Sequence, residues 1–178
     1  GQDEYVNIHL QLKQEHTRRT REEILYLAGR LALDENQTRI AETVALLHDV
    51  GRFPQFAMYR TFNDVRSVNH GHLGVEVLHQ EAVLKALAPE ERFWIETAVA
   101  YHGRMSMPTG LDGPALLFLK LIRDADKLDI FRIVADVYRR HKEDPAGLSF
   151  EIELSDDPRI APEVLDAVLS GRLIEHAR

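Results

Sequence analysis

Apolar residues recur every three to four positions along most of the chain, which is the periodicity of helices that bury one face. Ile24, Leu27 and Leu31 form one such stripe, and Ile40 and Val44 belong to a second. A first helix is predicted at residues 6–33, and a second begins at a cap at residue 34 or 36 and ends at a break at residues 51–54. Further helices are predicted at residues 71–79, 81–87, 89–102, 114–141 and 162–170. The sequence therefore predicts an all-α fold.

Few segments lack this periodicity. Residues 53–68 mix aromatics with Asn, Asp and Ser and predict a long structured loop, and residues 103–114 predict a second loop. Residues 149–154 show a short alternation typical of extended backbone. Because no repeat, low-complexity tract or linker divides the chain, we expect one helical-bundle domain over residues 1–178. The final LIEHAR carries no turn signal, which leaves open a truncated domain.

Composition and charge narrow the classes of function. Apolar residues make up 44% and charged residues 29%, as in globular proteins. No apolar run suits a membrane span and no signal peptide is visible, so we expect a cytoplasmic protein without a membrane partner. The net charge is −7 with interspersed basic residues, which argues against duplex nucleic acid as a partner. A homodimer is left open.

The chain has no cysteine and nine histidines, so any metal must be held by nitrogen and oxygen. Five predicted segments each direct ionisable side chains along an apolar face, and these side chains are His16, His48 with Asp49, His70, His102 and Asp126. A single histidine on such a face is usually a packing residue. Several imidazoles and two carboxylates that converged in one core would need a cation among them. Convergence is a hypothesis at this point.

The adjacent pair His48–Asp49 has a geometric rationale. Neighbours inside a helix point about 100° apart and do not easily reach one ion. At a helix end, where Gly51 lets the backbone unwind, both side chains can turn to one point. A carboxylate there can also bridge two cations, which an imidazole cannot do.

With these residues in place, the chain resembles the HD superfamily of metal-dependent phosphohydrolases. The matching pieces follow the family's order over residues 16–131, and they read EHTRRTREEILYLA, ALLHDVGRF, NHGHLGVEVL, AVAYHGRMSMP and LIRDADKLDIF. The resemblance implies a helical bundle of the HD type. It also implies that a metal-activated hydroxide cleaves a phosphomonoester, phosphodiester or phosphoanhydride, with a small phosphorylated molecule such as a nucleotide as substrate. The Gly-Tyr-Pro signature of one subgroup is missing, which argues against cyclic-di-GMP.

The resemblance also assigns ligands. It implies that one metal is held by His16, His48, Asp49 and Asp126. His70 and His102 match the extra histidines of members with a second metal, and Asp49 would bridge the two ions. The cofactors implied are divalent ions, two of them, drawn from manganese, iron, magnesium, nickel or cobalt.

Further residues are assigned to catalysis and substrate. Asp49 and Arg52 are the predicted catalytic residues, and Arg52 stands where many relatives have a phosphate-facing lysine. His72, Arg104 and Lys127 are predicted to contact the substrate with Arg52. For Arg104 and Lys127, an ordinary solvated position is the stronger alternative.

The remaining aspartates and histidines are expected to lie outside the site. Asp124 and Asp129 are expected to make ordinary pairs with Arg123, Lys127 or Arg132, and His9, His79, His141 and His176 are expected to be surface or packing residues. Two further functions are kept open. One is a regulatory HD domain that senses a nucleotide without turnover, and the other is a helical interaction module with incidental histidines.

Overall fold

The fold is known from a computed structural model, which describes the backbone of residues 2–143 and 159–172 and the side chains of 6–140 and 159–172. The helices are α1 (Gln2–Arg30), α2 (Glu35–Leu47), α3 (Arg52–Tyr59), α4 (His70–Gln80), α5 (Pro89–Tyr101), α6 (Gly113–Glu143) and α7 (Pro162–Leu169). The described ranges contain no strand, which confirms the all-α prediction. None of these helices has the length and apolar content needed to cross a bilayer. Residues 149–154 lie outside the described residues.

The chain divides into two compact units, residues 1–134 and 135–178. Helices α1 to α5 and most of α6 belong to the first unit, and the end of α6 and α7 belong to the second. In the second unit α7 begins at Pro162, whose fixed φ suits the first turn of a helix. The prediction of a single domain over residues 1–178 stays a prediction.

The core of the first unit forms where the apolar stripes meet. Each of five helices contributes at least one side chain that is almost fully buried, and examples are Ile24, Val44, Leu78, Val99 and Ile122. Helix α1 packs on α2, α4 packs on α5, and α2 also packs on α5. Helix α2 starts where expected, because the Asp34 side chain accepts from the Gln37 amide and forms a capping box.

The predicted loop at residues 53–68 is wrong in its first half, because α3 covers Arg52–Tyr59. The predicted break at residues 51–54 includes Pro54, which lies in the first turn of α3, where a missing N–H costs nothing. A short 3-10 turn, Asp64–Arg66, follows, with Asn63 as its cap. The segment that joins α2 to α4 is therefore ordered by local hydrogen bonds.

The helix predicted at residues 81–87 is also wrong, because this stretch forms consecutive turns. Ala82 adopts a left-handed φ of 49°, which an α-helix does not accommodate. The Val83 amide bonds back to the Leu78 carbonyl, a pattern typical of helix C-termini. The apolar periodicity of the segment reflects burial of Leu84 and not helix.

Candidate metal centre

The six predicted metal ligands come from five parts of the first unit. His16 lies in α1, the His48–Asp49 pair follows α2, His70 opens α4, His102 follows α5, and Asp126 lies in α6. All six side chains are buried. The structure therefore brings together ionisable groups that are up to 110 positions apart in sequence.

The first group of donor atoms surrounds one oxygen of Asp49. The Nε2 atoms of His16 and His48 lie 3.3 Å apart. Asp49 Oδ2 lies 3.7 Å from each of these two nitrogens. Asp126 Oδ1 lies 3.3 Å from His16 Nε2 and completes a set of two imidazoles and two carboxylates.

The second group surrounds the other oxygen of the same carboxylate. The Nε2 atoms of His70 and His102 lie 3.0 Å apart, and Asp49 Oδ1 lies 3.5 Å from each. Asp49 thus presents one oxygen to each pair of histidines. Both triads, one with His16 and His48 and one with His70 and His102, have spacings compatible with a shared ion.

Two of the four imidazoles are oriented by a carboxylate. His16 Nδ1 lies 2.7 Å from Asp129 Oδ2, and His70 Nδ1 lies 2.8 Å from Asp64 Oδ2. An ionised carboxylate only accepts, so the Nδ1 atom carries the hydrogen and donates it. The Nε2 atom of each neutral ring is then a free lone pair, which is the arrangement of metal-bound histidines.

The other two imidazoles are oriented by backbone carbonyls. His48 Nδ1 donates to the Ala45 carbonyl at 2.7 Å, and His102 Nδ1 donates to the Val99 carbonyl at 2.9 Å. Arg123 of α6 donates to the carbonyl of His102 and to carbonyls on either side of it, which fixes the turn after α5. All four histidines therefore direct Nε2 into the same buried space.

Burial and charge set the protonation of this cluster. Complete burial lowers the pKa of His48 to about 3, so this imidazole is neutral at physiological pH. Burial alone would raise the pKa of Asp49, but Lys13 and His48 outweigh it and hold the pKa of this carboxyl well below its usual value. For His16, burial is outweighed by Asp126 and Asp129, which raise its pKa. The ionised carboxylates therefore stabilise positive charge at the centre.

The donor set fits divalent metal ions. Pairs of imidazole lone pairs at 3.0 and 3.3 Å repel each other unless a metal ion or a proton lies between them. Mixed imidazole and carboxylate ligands suit manganese, iron, cobalt, nickel or zinc, and the lack of thiolates argues against a structural zinc site. The clusters can therefore bind metal ions, and Asp49 belongs to both triads.

Two glycines allow backbone segments to pack closely enough for this convergence. A Cβ on Gly51 would overlap the carbonyl oxygen of His70 and would lie 2.5 Å from the Gly74 nitrogen. A Cβ on Gly71 would lie 2.7 Å from the carbonyls of Val99 and Ala100. Glycines at these positions let the turn after α2 and the helix α5 approach α4 closely, which brings the two groups of ligands together.

Arg52 is held beside the centre by a polar network. Its NH1 group donates to the side chains of Asp64 and Gln55 and to the carbonyl of Phe62. Gln55, fully buried in α3, also donates to Asp64. Asp64 accepts from His70 as well, so one carboxylate connects Arg52 to the second group of ligands.

A cavity of about 370 Å³ opens onto the centre. Among the residues predicted to contact substrate, Arg52 and Lys127 line it, with Phe62 and Ile130 as apolar walls. His72 and Arg104 do not line it. They lie 3.4 Å from each other on the exposed surface, and their predicted role stays a prediction.

Three residues near the centre were missed or misjudged from the sequence. The expectation that Asp129 pairs with Arg123, Lys127 or Arg132 is wrong, because Asp129 is 1% exposed and bonds to His16 and Arg19. Its three-residue spacing from Asp126 puts both on one helix face, and this was the available signal. No sequence signal singled out Asp64 or Lys13.

The remaining histidines behave as expected where the structure describes them. His9 stacks on Phe56 with ring centroids 4.9 Å apart, and exposed His79 bonds to Glu96. The side chain of His141 and all of His176 lie outside the described residues.

A comparison with protein families gives the class of the protein. The model of the HD domain family matches residues 14–138, a span that contains all six predicted ligands. The chain belongs to the HD domain family. No curated protein and no solved structure matches the chain.

Proposed function

We propose that the chain is a metal-dependent phosphohydrolase that uses two divalent ions to cleave a small phosphorylated substrate, such as a nucleotide. One observation carries this proposal. The two oxygens of Asp49 face two separate pairs of histidine Nε2 atoms at 3.5–3.7 Å. When bound, the ions would polarise a phosphoryl oxygen and lower the pKa of a coordinated water.

The protein residues would contribute binding and orientation. Arg52 has a buried Nε–H without a hydrogen-bond acceptor among the described residues, and this atom lies 3.5 Å from Asp49 Oδ1. Because its NH1 group is fixed by three acceptors, the guanidinium is held in place before substrate arrives. Because Arg52 lines the cavity, its guanidinium would stabilise the charge that develops on a phosphoryl group there as the transition state forms.

A panel of phosphate compounds tests this function. The manganese-reconstituted protein is assayed against phosphomonoesters, phosphodiesters and phosphoanhydrides, with release of phosphate or alcohol as the readout. We expect turnover of at least one class, and loss of that turnover in Asp49→Ala. Asp124→Asn, at an exposed position of α6, is the matched control and keeps wild-type turnover. Retained activity in Asp49→Ala would refute the assignment, and binding without turnover would favour a regulatory domain.

A further inference from the structure

Besides Arg52, a second cationic side chain, Lys13, contacts the carboxylate of Asp49. Its Nζ atom donates to Asp49 Oδ2 at 2.9 Å, and its side chain is only 18% exposed. The ammonium also lies 5.1 Å from the centroid of the Phe62 ring, so the aromatic face helps to hold it in the cavity. Lys13 precedes His16 by three residues on α1, which puts both on one face of the helix.

Lys13 and Arg52 approach different oxygens of Asp49. Lys13 contacts Oδ2, whereas Arg52 Nε lies 3.5 Å from Oδ1, and both residues line the cavity. The third cation of the cavity, Lys127, is half exposed and lies 2.8 Å from Asp126. The two partly buried cations are therefore the ones placed to grip an anion that enters above Asp49.

The number of non-bridging oxygens on the phosphorus indicates which class of phosphate fits between these two cations. A phosphodiester is a monoanion with two non-bridging oxygens, whereas a terminal phosphate is a dianion at neutral pH with three. A terminal phosphate can meet both cations and still present one oxygen to the metal centre. We propose that Lys13 and Arg52 form a clamp for a terminal phosphate, that the site acts on phosphomonoesters, and that Lys13 selects them over diesters.

This inference rests on the proposed hydrolase function and names its substrate class. In the reaction the oxygen of water bonds to phosphorus and the ester P–O bond breaks. The leaving oxygen takes a proton and departs as an alcohol, and inorganic phosphate remains. Lys13 would contact the phosphate in the substrate and in the product, so its effect can be measured by binding as well as by turnover.

Calorimetry with inorganic phosphate and dimethyl phosphate tests the clamp on the manganese-reconstituted protein. The wild type is expected to bind phosphate at least about tenfold more tightly than dimethyl phosphate. Lys13→Gln is expected to weaken phosphate binding by about tenfold to a hundredfold and to narrow that preference. Lys13→Arg should retain most of the affinity, and Lys85→Gln, at an exposed lysine outside the cavity, should match the wild type.

Several results would overturn the clamp. One is a wild type that binds no phosphate or shows no preference for phosphate over dimethyl phosphate. Another is a Lys13→Gln variant that binds phosphate as tightly as the wild type does. A third is a Lys13→Gln variant whose metal content falls in parallel with its affinity for phosphate. The last result would mean that Lys13 acts only through Asp49.

Turnover of p-nitrophenyl phosphate and bis-p-nitrophenyl phosphate separates this inference from the proposed function. Lys13→Gln should raise KM for the monoester by about tenfold or more and change the diester little. If the wild type cleaves neither these probes nor any compound of the panel while phosphate binding depends on Lys13, the hydrolase proposal fails and only the phosphate-binding part of the inference stands. If the wild type cleaves both with equal kcat/KM, the hydrolase stands and the selectivity fails.

Discussion

At the residue scale, the centre depends on both ring nitrogens of each of the four imidazoles. Nδ1 donates to a fixed acceptor, and Nε2 is left to face the shared space. For His16 the acceptor is Asp129, which also accepts from the Arg19 guanidinium at 2.6 Å. Such partners hold the ring in its binding tautomer before any ion arrives, which reduces the reorganisation needed for metal binding.

Asp129→Asn is expected to weaken metal binding without removing a ligand. An amide holds the His16 ring less firmly and removes a negative charge that supports it, so metal affinity should fall by about tenfold to a hundredfold. A competition titration against a metal-binding dye measures this. Asp124→Asn, two residues before Asp126 and exposed, changes the same charge on the same helix and should leave the affinity within about twofold of the wild type. Equal affinities in the two variants would show that Asp129 does not support the centre.

The sequence could predict which buried ionisable side chains converge, but not the residues that support them. His16, His48 and Asp126 lie on apolar stripes, where an ionisable group needs a reason to be buried. Asp64 lies in an irregular segment and Lys13 on a mostly polar stretch of α1, so periodicity did not distinguish them. Their partners, His70 and Asp49, are fixed by tertiary packing, which local sequence patterns do not encode.

At the element scale, the decisive feature is the junction between α2, α3 and α4. The periodicity predicted α2, α5 and α6 well, because each has a long apolar stripe against the core. It missed α3, where eight residues begin with a polar–aromatic mixture and a proline. It predicted a second helix at residues 81–87, where the left-handed Ala82 prevents a helix and apolar burial continues at Leu84.

Gly51→Ala is expected to destabilise the protein and weaken metal binding together. The added methyl would meet the backbone of His70 and Gly74, which cannot move without separating the two groups of ligands. Overpacking of this kind costs about 1–3 kcal/mol. Thermal unfolding of the reconstituted protein measures the loss.

Gly29→Ala is the control for that variant, because a Cβ at this α1 position meets nothing within 4 Å. Its helix propensity should improve stability by up to about 1 kcal/mol. If Gly51→Ala unfolds at the wild-type temperature and keeps its metal, the close approach seen between the turn after α2 and α4 does not govern the site.

At the scale of the whole first unit, the candidate metal centre brings together five separate segments of the chain. The buried carboxylates Asp49 and Asp126 each carry a cost of several kcal/mol, roughly, unless a cation compensates it. The apolar core beneath them, with Ile122 and Val44 fully buried, holds the helices that carry the ligands. Bound ions should therefore stabilise the folded state and not only serve chemistry.

Chelation is accordingly expected to lower the Tm. A ligand that binds only the folded state at a hundred times its Kd adds about 2.7 kcal/mol, which corresponds to roughly 5–10 °C for a chain of this size. Differential scanning calorimetry with manganese and then with excess EDTA measures the shift. The Asp49→Ala variant should show little change between the two conditions. A wild type with the same Tm in both would mean that metal does not bind the folded protein in preference to the unfolded one.

The most direct measurement is the metal content of the purified, reconstituted chain, determined by elemental analysis without a chelating tag. We expect about two equivalents per chain in the wild type and about one when His70→Ala and His102→Ala are combined. Wild-type content in the double variant would remove the second site. Less than about a tenth of an equivalent in the wild type would contradict the account as a whole, and the histidines would then be incidental to a helical interaction module.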